Sequence, residues 1–170
     1  MIRSLKPEDL AACLDIYNHY IETSAATLEE KPAALEDYQR RAEELTKQYP
    51  WLVLEDNGDV KGFAYLSPFN ERSAYRITAD VTVYLRPQET GNGYGTALLS
   101  ELITLAEKQS IRKLVSLITA SNAASIALHE SLGFQKAGEL KDCAWKFNQL
   151  HSVLFYEKDL TAMNRKEVGA

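Results

Sequence analysis

Hydrophobic positions in this chain follow two rhythms, one of period two and one near 3.6, that alternate along its length. Residues 2–5 are short and strand-like. Lys6-Pro7-Glu8-Asp9 then opens a helix, with proline and carboxylates in the first turn, where free N–H groups favour them. Leu10, Cys13, Leu14, Ile16, Tyr17 and Tyr20 carry the helical spacing onward. A loop over 23–32 and a second, charged helix over 35–48 follow. Residues 51–55 and 60–66 read as strands of a hairpin turned at Asp56-Asn57-Gly58-Asp59. A polar loop at 67–73 around Pro68 leads into a long strand over 75–85. Helix 93–109, strand 113–118, helix 122–132 and two strands near 134–143 and 146–157 complete the pattern. Asn122 stands as N-cap of the last helix and Gly133 at its C-cap. The order predicts a single α/β domain over 1–160, with a frayed tail at 161–170.

The strand at 75–85 and the helix after it are joined by Thr90-Gly91-Asn92-Gly93-Tyr94-Gly95. A strand, a glycine turn and a helix N-terminus set free backbone N–H groups beside the positive end of a helix dipole, a place suited to phosphate or pyrophosphate. Glycine lets the chain turn sharply and approach an anion with no Cβ in the way. A nucleotide P-loop would need a lysine that Tyr94-Gly95-Thr96-Ala97 does not supply. A dinucleotide fingerprint would need a ribose-binding carboxylate, but the next strand ends in Thr119-Ala120-Ser121-Asn122. The turn therefore points to another phosphate-bearing cofactor, with a plain glycine-rich surface turn as the alternative.

Composition narrows the partners. A formal net charge of −5 over 170 residues argues against nucleic acid or an anionic membrane surface as partner. No apolar run approaches the roughly 20 residues that span a bilayer, and the N-terminus passes directly into a helix start without a leader pattern. Cys13 and Cys143 are neither clustered nor spaced for a metal, and are expected to be reduced, buried thiols in the cytoplasm. Glu29-Glu30 and Glu43-Glu44 have no partner spacing for a metal, so none is expected. His19 and His151 read as structural.

The glycine turn, its flanking strand and helix, and Asn122-Ala123-Ala124-Ser125-Ile126-Ala127-Leu128-His129-Glu130-Ser131-Leu132-Gly133-Phe134 together resemble a GNAT-type N-acetyltransferase. That family pairs an Arg/Gln-x-x-Gly-x-Gly/Ala pyrophosphate loop with an Asn-led helix closed by Gly-Phe. Residues 16–23, Tyr49-Pro50-Trp51-Leu52-Val53, Arg72-Ser73-Ala74-Tyr75-Arg76, Val83-Tyr84 and Trp145-Lys146-Phe147 are similar to its phosphinothricin acetyltransferase-like branch. Two positions depart from the pattern. Thr90 stands where Arg or Gln is usual, which removes a charged contact to the pyrophosphate. Asp80 stands where this branch usually has Glu, one methylene longer.

The resemblance implies a GNAT fold, with a central, twisted, mostly antiparallel mixed sheet of about six to seven strands and about four helices. It implies acetyl-CoA as cosubstrate, its pyrophosphate on the amides of Gly91, Asn92, Gly93, Tyr94, Gly95 and Thr96. The pantetheine arm would lie along Val83, Tyr84 and Leu85, with Asn122 and Ser125 on its other side. Asp80 takes the position of the base, acting directly or through water, and a backbone N–H near Val83 that of the oxyanion donor. His129 occupies the place where many relatives carry a general-acid tyrosine. Arg72, Tyr75, Arg76, Thr82 and Lys146 would meet a small amino-acid-like acceptor, the paired guanidinium groups suiting its carboxylate. The family also suggests direct transfer in a ternary complex and a homodimer. A protein N-terminus or a polyamine as acceptor, and a non-catalytic acyl-CoA-binding module, are the competing readings.

Overall fold

The period-two segments become one seven-stranded sheet and the period-3.6 segments four α-helices in the computed structural model, which describes residues 1–160. In chain order the elements are β1 (Ile2–Ser4), α1 (Leu10–Thr23), α2 (Leu35–Thr46), β2 (Trp51–Asp56), β3 (Asp59–Pro68) and β4 (Thr78–Leu85). They continue with α3 (Tyr94–Lys108), β5 (Lys113–Thr119), α4 (Ala123–Ser131), β6 (Gln135–Lys146) and β7 (Gln149–Asp159). The strand order is β1-β2-β3-β4-β5-β7-β6. All neighbours are antiparallel except β4 and β5, so the expected mixed, mostly antiparallel sheet is what forms. The tail from Thr161 lies outside the described residues.

Strand alternation divides the core in two. Trp51, Val53, Phe63 and Tyr65 face α1 and α2, packing with Leu10, Cys13, Leu14, Ile16 and Tyr38. Leu52, Leu54, Ala64, Leu66, Ala79 and Val81 face the other way, onto Leu98, Leu99, Leu102 and Ala106 of α3. Those three leucines are fully buried, and each contributes on the order of 1.5–3 kcal/mol of burial free energy. This second core anchors the start of α3, and with it the glycine turn.

Three expectations are corrected. Ser73–Ile77 is a short 3-10 turn, and the strand predicted from 75 begins at Thr78. The reason is pairing, since β3 ends at Pro68, opposite Ala79, and leaves nothing for an earlier β4 residue to join on that side. The last hairpin turns at Phe147 and Asn148, with φ of 53° and 56°, so Trp145 and Lys146 belong to β6. A two-residue turn of this kind usually announces itself with glycine, and here none is present. Cys13 is buried as expected, but Cys143 is exposed, because it sits in the irregular stretch between Leu140 and Ala144 of β6, the strand at the end of the sheet.

One irregularity of the sheet sets up everything that follows. β4 is eight residues long, yet only Thr78, Ala79 and Asp80 pair with β5, opposite Lys113, Leu114 and Val115. Beyond the Asp80–Val115 rung the two strands diverge.

Candidate active site

The register determines which backbone groups face the gap between β4 and β5. Arg86 N–H donates to the Lys61 carbonyl across the β3–β4 ladder at 2.8 Å. Hydrogen-bonded pairs alternate in an antiparallel ladder, so Thr82 and Tyr84 spend both main-chain groups on β3. Val81, Val83 and Leu85 turn theirs to the open side. One of these is filled from α1, whose Tyr20 hydroxyl donates to the Leu85 carbonyl at 2.7 Å. Tyr84 therefore turns no amide to the gap, and its ring packs with Tyr17, Tyr20 and Phe63.

A cavity of about 640 Å3 occupies the fork. Residues 81–85 form one wall and residues 116–118 of β5 the opposite one; Thr90, Gly91, Gly93, Gly95 and Thr96 line the loop end. Asn122, Ser125, Leu128 and His129 of the α4 segment line the α4 side. Of the residues singled out from the sequence, Thr82, Val83, Tyr84, Leu85, Gly91, Gly93, Gly95, Thr96, Asn122, Ser125 and His129 are thus brought together. Asn92, Tyr94, Asp80, Arg72, Tyr75, Arg76 and Lys146 are not on this lining. Tyr20, Ala26, Ser116 and Leu117 are, and sequence reasoning passed over them. Tyr20 carries the helical spacing of α1 and reads as packing; only the crossing of α1 over β4 takes it to the fork.

The three glycines do different work. Gly91 and Gly93 have φ of 85° and 78°, a left-handed backbone that other residues rarely adopt. Gly93 is the N-cap of α3, so the unpaired N–H groups of the first helical turn open beside it. A Cβ on Gly95 would stand 3.1 Å from Leu128 and 3.6 Å from Leu85, so this glycine allows α3, α4 and β4 to meet closely. Thr90 donates to the Pro87 carbonyl at 3.2 Å and Asn92 to Glu89 at 3.2 Å, so both side chains brace the turn. Lys61, 3.2 Å from Glu89, extends that brace.

Two titratable groups bear on the fork, His129 on its lining and Asp80 on the adjoining β4–β5 rung. Asp80 stands on the last β4–β5 rung, and its Oδ1 is buried without a partner. Burial without compensation pushes its carboxyl up to about 6. His129 is 1% exposed and edge-on to Phe134, 5.0 Å between ring centroids. Its Nδ1 is 2.7 Å from the Ser125 carbonyl, an acceptor only, so Nδ1 holds the proton and Nε2 carries the lone pair. Burial lowers its basicity and favours the neutral ring. Nε2 also lacks a partner, and these two atoms make up half of the four unpartnered buried side-chain atoms among the described residues. Buried polar atoms are nearly always paired in folded proteins, so an unpartnered Nε2 on the cavity lining and an unpartnered Oδ1 on the adjoining rung single out these two side chains.

The remaining candidates have partners or positions of their own. Asn122 caps α4 by accepting from Ser125 N–H at 3.2 Å. Arg72, Tyr75 and Arg76 are exposed in and beside the 3-10 turn before β4, with Tyr75 edge-on to Phe69 at 5.4 Å. Lys146 is buried, and its ammonium donates to the carbonyls of Ser24 and Thr27 at 2.8 Å each.

A ligand for this fork must be long, must pair like an added strand along Val81, Val83 and Leu85, and must end in an anion at the glycine turn. Geometry of that kind is compatible with a transferase that draws on a long, anionic acyl carrier. Residues 2–152 match the acetyltransferase (GNAT) domain family, and the chain belongs to it. It is 37% identical over 158 residues to the phosphinothricin N-acetyltransferase of Streptomyces viridochromogenes, spanning 93% of this chain and 86% of that protein. It is 34% identical over 161 residues to the L-methionine sulfoximine/L-methionine sulfone acetyltransferase of Pseudomonas aeruginosa, spanning 94% of each. The crystal structure of a GNAT superfamily phosphinothricin acetyltransferase from Sinorhizobium meliloti, in complex with AcCoA, matches with a TM-score of 0.91. That match is 33% identical and covers 94% of this chain and 88% of the other.

Proposed function

We propose that this protein transfers the acetyl group of acetyl-CoA to the amine of a small amino-acid-like acceptor, such as phosphinothricin or methionine sulfoximine or sulfone, within a ternary complex. The observation that carries the reading is Asp80, whose Oδ1 is buried and unpaired on the last β4–β5 rung, next to a fork whose free strand edge leads to the glycine turn. The residues present fit acetyl-CoA. The amides of the turn from Gly91 to Thr96 would hold its pyrophosphate, and the open edge at Val83 and Leu85 its pantetheine arm, with Asn122 and Ser125 opposite. Acetyl-CoA supplies the thioester carbonyl that the amine attacks and leaves as the free thiol.

The chain's own groups then have separable tasks. An amino acid's ammonium must lose a proton before its nitrogen can attack, and Asp80 Oδ1, directly or through a water it orients, takes that proton. A carboxyl near 6 is ionised at neutral pH yet accepts protons more readily than an exposed aspartate. Val83 N–H, turned into the fork, donates to the oxyanion as it forms. His129 Nε2, bearing a lone pair, relays the second nitrogen proton to the leaving sulfur, so that one proton in total is released. Arg72 and Arg76, with Tyr75 and Thr82, meet the acceptor, the guanidinium groups reading its carboxylate.

Two further parts of the reading rest on the surface. Leu140, Trp145, Phe147 and Leu150 are each more than half exposed, and a second copy of the chain covers them in the proposed homodimer. Sedimentation at micromolar concentration checks this, and a monomer there refutes it. No helix of the described residues is long and apolar enough to cross a membrane. The proposed compartment is the cytoplasm, in keeping with two unpaired cysteines. Purified protein, acetyl-CoA and a panel of amines, read by thiol release, test the activity. Turnover with amino-acid analogues supports it; turnover confined to polyamines or protein N-termini, or none at all, overturns it.

A further inference from the structure

Lys146 is 3% exposed, a burial that lysine tolerates only when its ammonium is well paired. Among the described residues no carboxylate forms an ion pair with it, although the charges of Glu29 and Glu30 favour its ammonium. Its Nζ donates to the carbonyls of Ser24 and Thr27, 2.8 Å each, and stands 5.0 Å from the centre of the Phe147 ring. Both carbonyls belong to the link over 24–34 between α1 and α2, which has neither helix nor strand of its own. Local turns within it, Ala26 N–H to Ser24 Oγ at 3.1 Å and Glu29 N–H to Thr27 Oγ1 at 3.3 Å, leave its placement against the sheet to contacts from outside.

That link forms part of the cavity. Ala26, between the two bonded carbonyls, lines the fork together with Tyr20, Thr82 and Tyr84. Thr82 and Tyr84 share the face of β4 that carries Asp80, opposite the face of Val81 and Val83 that meets α3. The Ala26 wall therefore belongs to the half of the fork where the amine must approach Asp80, and the glycine turn and α4 to the other half. The far end of the link is clamped separately. Asn18 donates to the Ala33 carbonyl at 3.1 Å and accepts from Ala33 N–H at 2.9 Å. Lys146 is itself anchored, since His151 Nε2 donates to its carbonyl at 2.9 Å. The near end leaves α1 with Ser24 N–H and Oγ donating to the Tyr20 carbonyl at 3.1 and 3.3 Å, and beyond that Lys146 clamps it from β6, assisted by Thr27 Oγ1 against the Tyr17 hydroxyl at 3.4 Å.

We infer that Lys146 is a positioning residue for the acceptor: by holding the Ser24 and Thr27 carbonyls from the β6–β7 turn, it fixes the Ala26 wall at the distance an amine needs to reach Asp80. The inference rests on the acetyl-transfer reading above and adds to it a residue that acts without touching substrate. It also separates Lys146 from Arg72 and Arg76, whose guanidinium groups are exposed and available to a carboxylate.

Lys146→Met, which keeps the apolar stem and removes the charge, tests it alongside Lys146→Arg. The Met variant should lose about tenfold or more in kcat/KM for the acceptor, as expected when a charge-assisted anchor is removed. Its KM for acetyl-CoA should stay within about twofold of wild type, and amide hydrogen exchange over 24–34 should quicken. Its preference for a free-acid acceptor over the methyl ester should be unchanged, and Arg, with several donors, should restore part of the loss. Wild-type acceptor kinetics in the Met variant would overturn the inference. A collapsed acid-to-ester preference would overturn it too, by giving Lys146 to the carboxylate directly. Equal losses for acceptor and acetyl-CoA would reduce Lys146 to a support of the fold. Should Lys146→Met fail to fold, Lys146→Gln, which keeps one donor, takes the same measurements. If the wild type transfers acetyl to no amine, the functional reading fails, whereas exchange over 24–34 still reports on the clamp.

Discussion

Asp80→Asn removes a charge while keeping the side chain's shape, and it should move stability and activity in opposite directions. Burial raises the Asp80 carboxyl from 3.8 to about 6. At about 1.36 kcal/mol per pH unit between folded and unfolded values, ionised Asp80 costs the folded state up to about 3 kcal/mol. The sign follows from the direction of the change. A carboxyl whose folded value lies above its unfolded one destabilises the fold only when ionised. The cost is therefore absent well below pH 3.8, grows between 3.8 and about 6, and is constant above. A neutral asparagine does not bear it. The variant should be more stable than wild type by about 1.5–3 kcal/mol at pH 7.5, the lower figure allowing for partial solvent access. That corresponds to roughly 3–12 °C in Tm for a chain of this size. At pH 4.5 the same linkage leaves about 1 kcal/mol or less.

The assay is denaturant unfolding of both proteins at the two pH values, with steady-state kinetics on the same preparations. Turnover of the variant should fall by ~10²–10⁴, as loss of a general base predicts, with acetyl-CoA affinity nearly unchanged. In the wild type, kcat/KM should decline as pH falls through about 6. A variant that is less stable than wild type at pH 7.5 would refute the burial argument. One that keeps its rate and its pH profile would refute the base.

Other consequences are simpler to state. Gly93→Ala forces a Cβ onto a backbone at φ 78°; it should cost about 1–2 kcal/mol in stability and raise the KM for acetyl-CoA severalfold, checked by unfolding and by calorimetry. Unchanged affinity would separate the turn from the pyrophosphate. Arg72→Ala and Arg76→Ala should each weaken acceptor use by ~1.5–3 kcal/mol and spare acetyl-CoA. In each variant the preference for free acid over methyl ester should shrink, and Arg→Lys should recover only part of it. An unchanged preference in both variants would mean that another group reads the carboxylate.

The parts of the molecule legible in the sequence are those with a local cause. The strand and helix rhythms survive because each element buries one face against its neighbours, as Leu98, Leu99 and Leu102 do on one side of the sheet and Trp51 and Val53 on the other. The glycine turn was legible because left-handed backbone nearly requires glycine at 91 and 93. What local pattern could not show was decided by pairing at a distance. The start of β4 depends on where β3 ends, and the position of the last turn depends on Phe147 and Asn148 accepting left-handed φ without glycine. Val83 and Tyr84 differ in use only because the β3–β4 register points one amide into the fork and the other away. Tyr20, Ala26 and Ser116 reach the cavity through tertiary crossings that no spacing encodes, and the same is true of the 2.8 Å bonds from Lys146 to residues 24 and 27.

The fork is also a place where the fold forgoes stability. Extending the β4–β5 ladder past Asp80 and Val115 would pair the amides of Val81, Val83 and Leu85, each bond contributing roughly 0.5–1.5 kcal/mol. Replacing the carboxyl of Asp80 and the imidazole of His129 by apolar groups would remove two unpartnered buried atoms as well. A sequence selected for stability alone would close the gap. The α3 core offsets these costs from behind, holding the glycine turn while the strand edge in front stays unpaired. Substitutions that close the fork should therefore give more stable proteins that no longer bind acetyl-CoA, whereas substitutions in the Leu98–Leu102 layer should loosen the glycine turn and weaken acetyl-CoA binding together with stability.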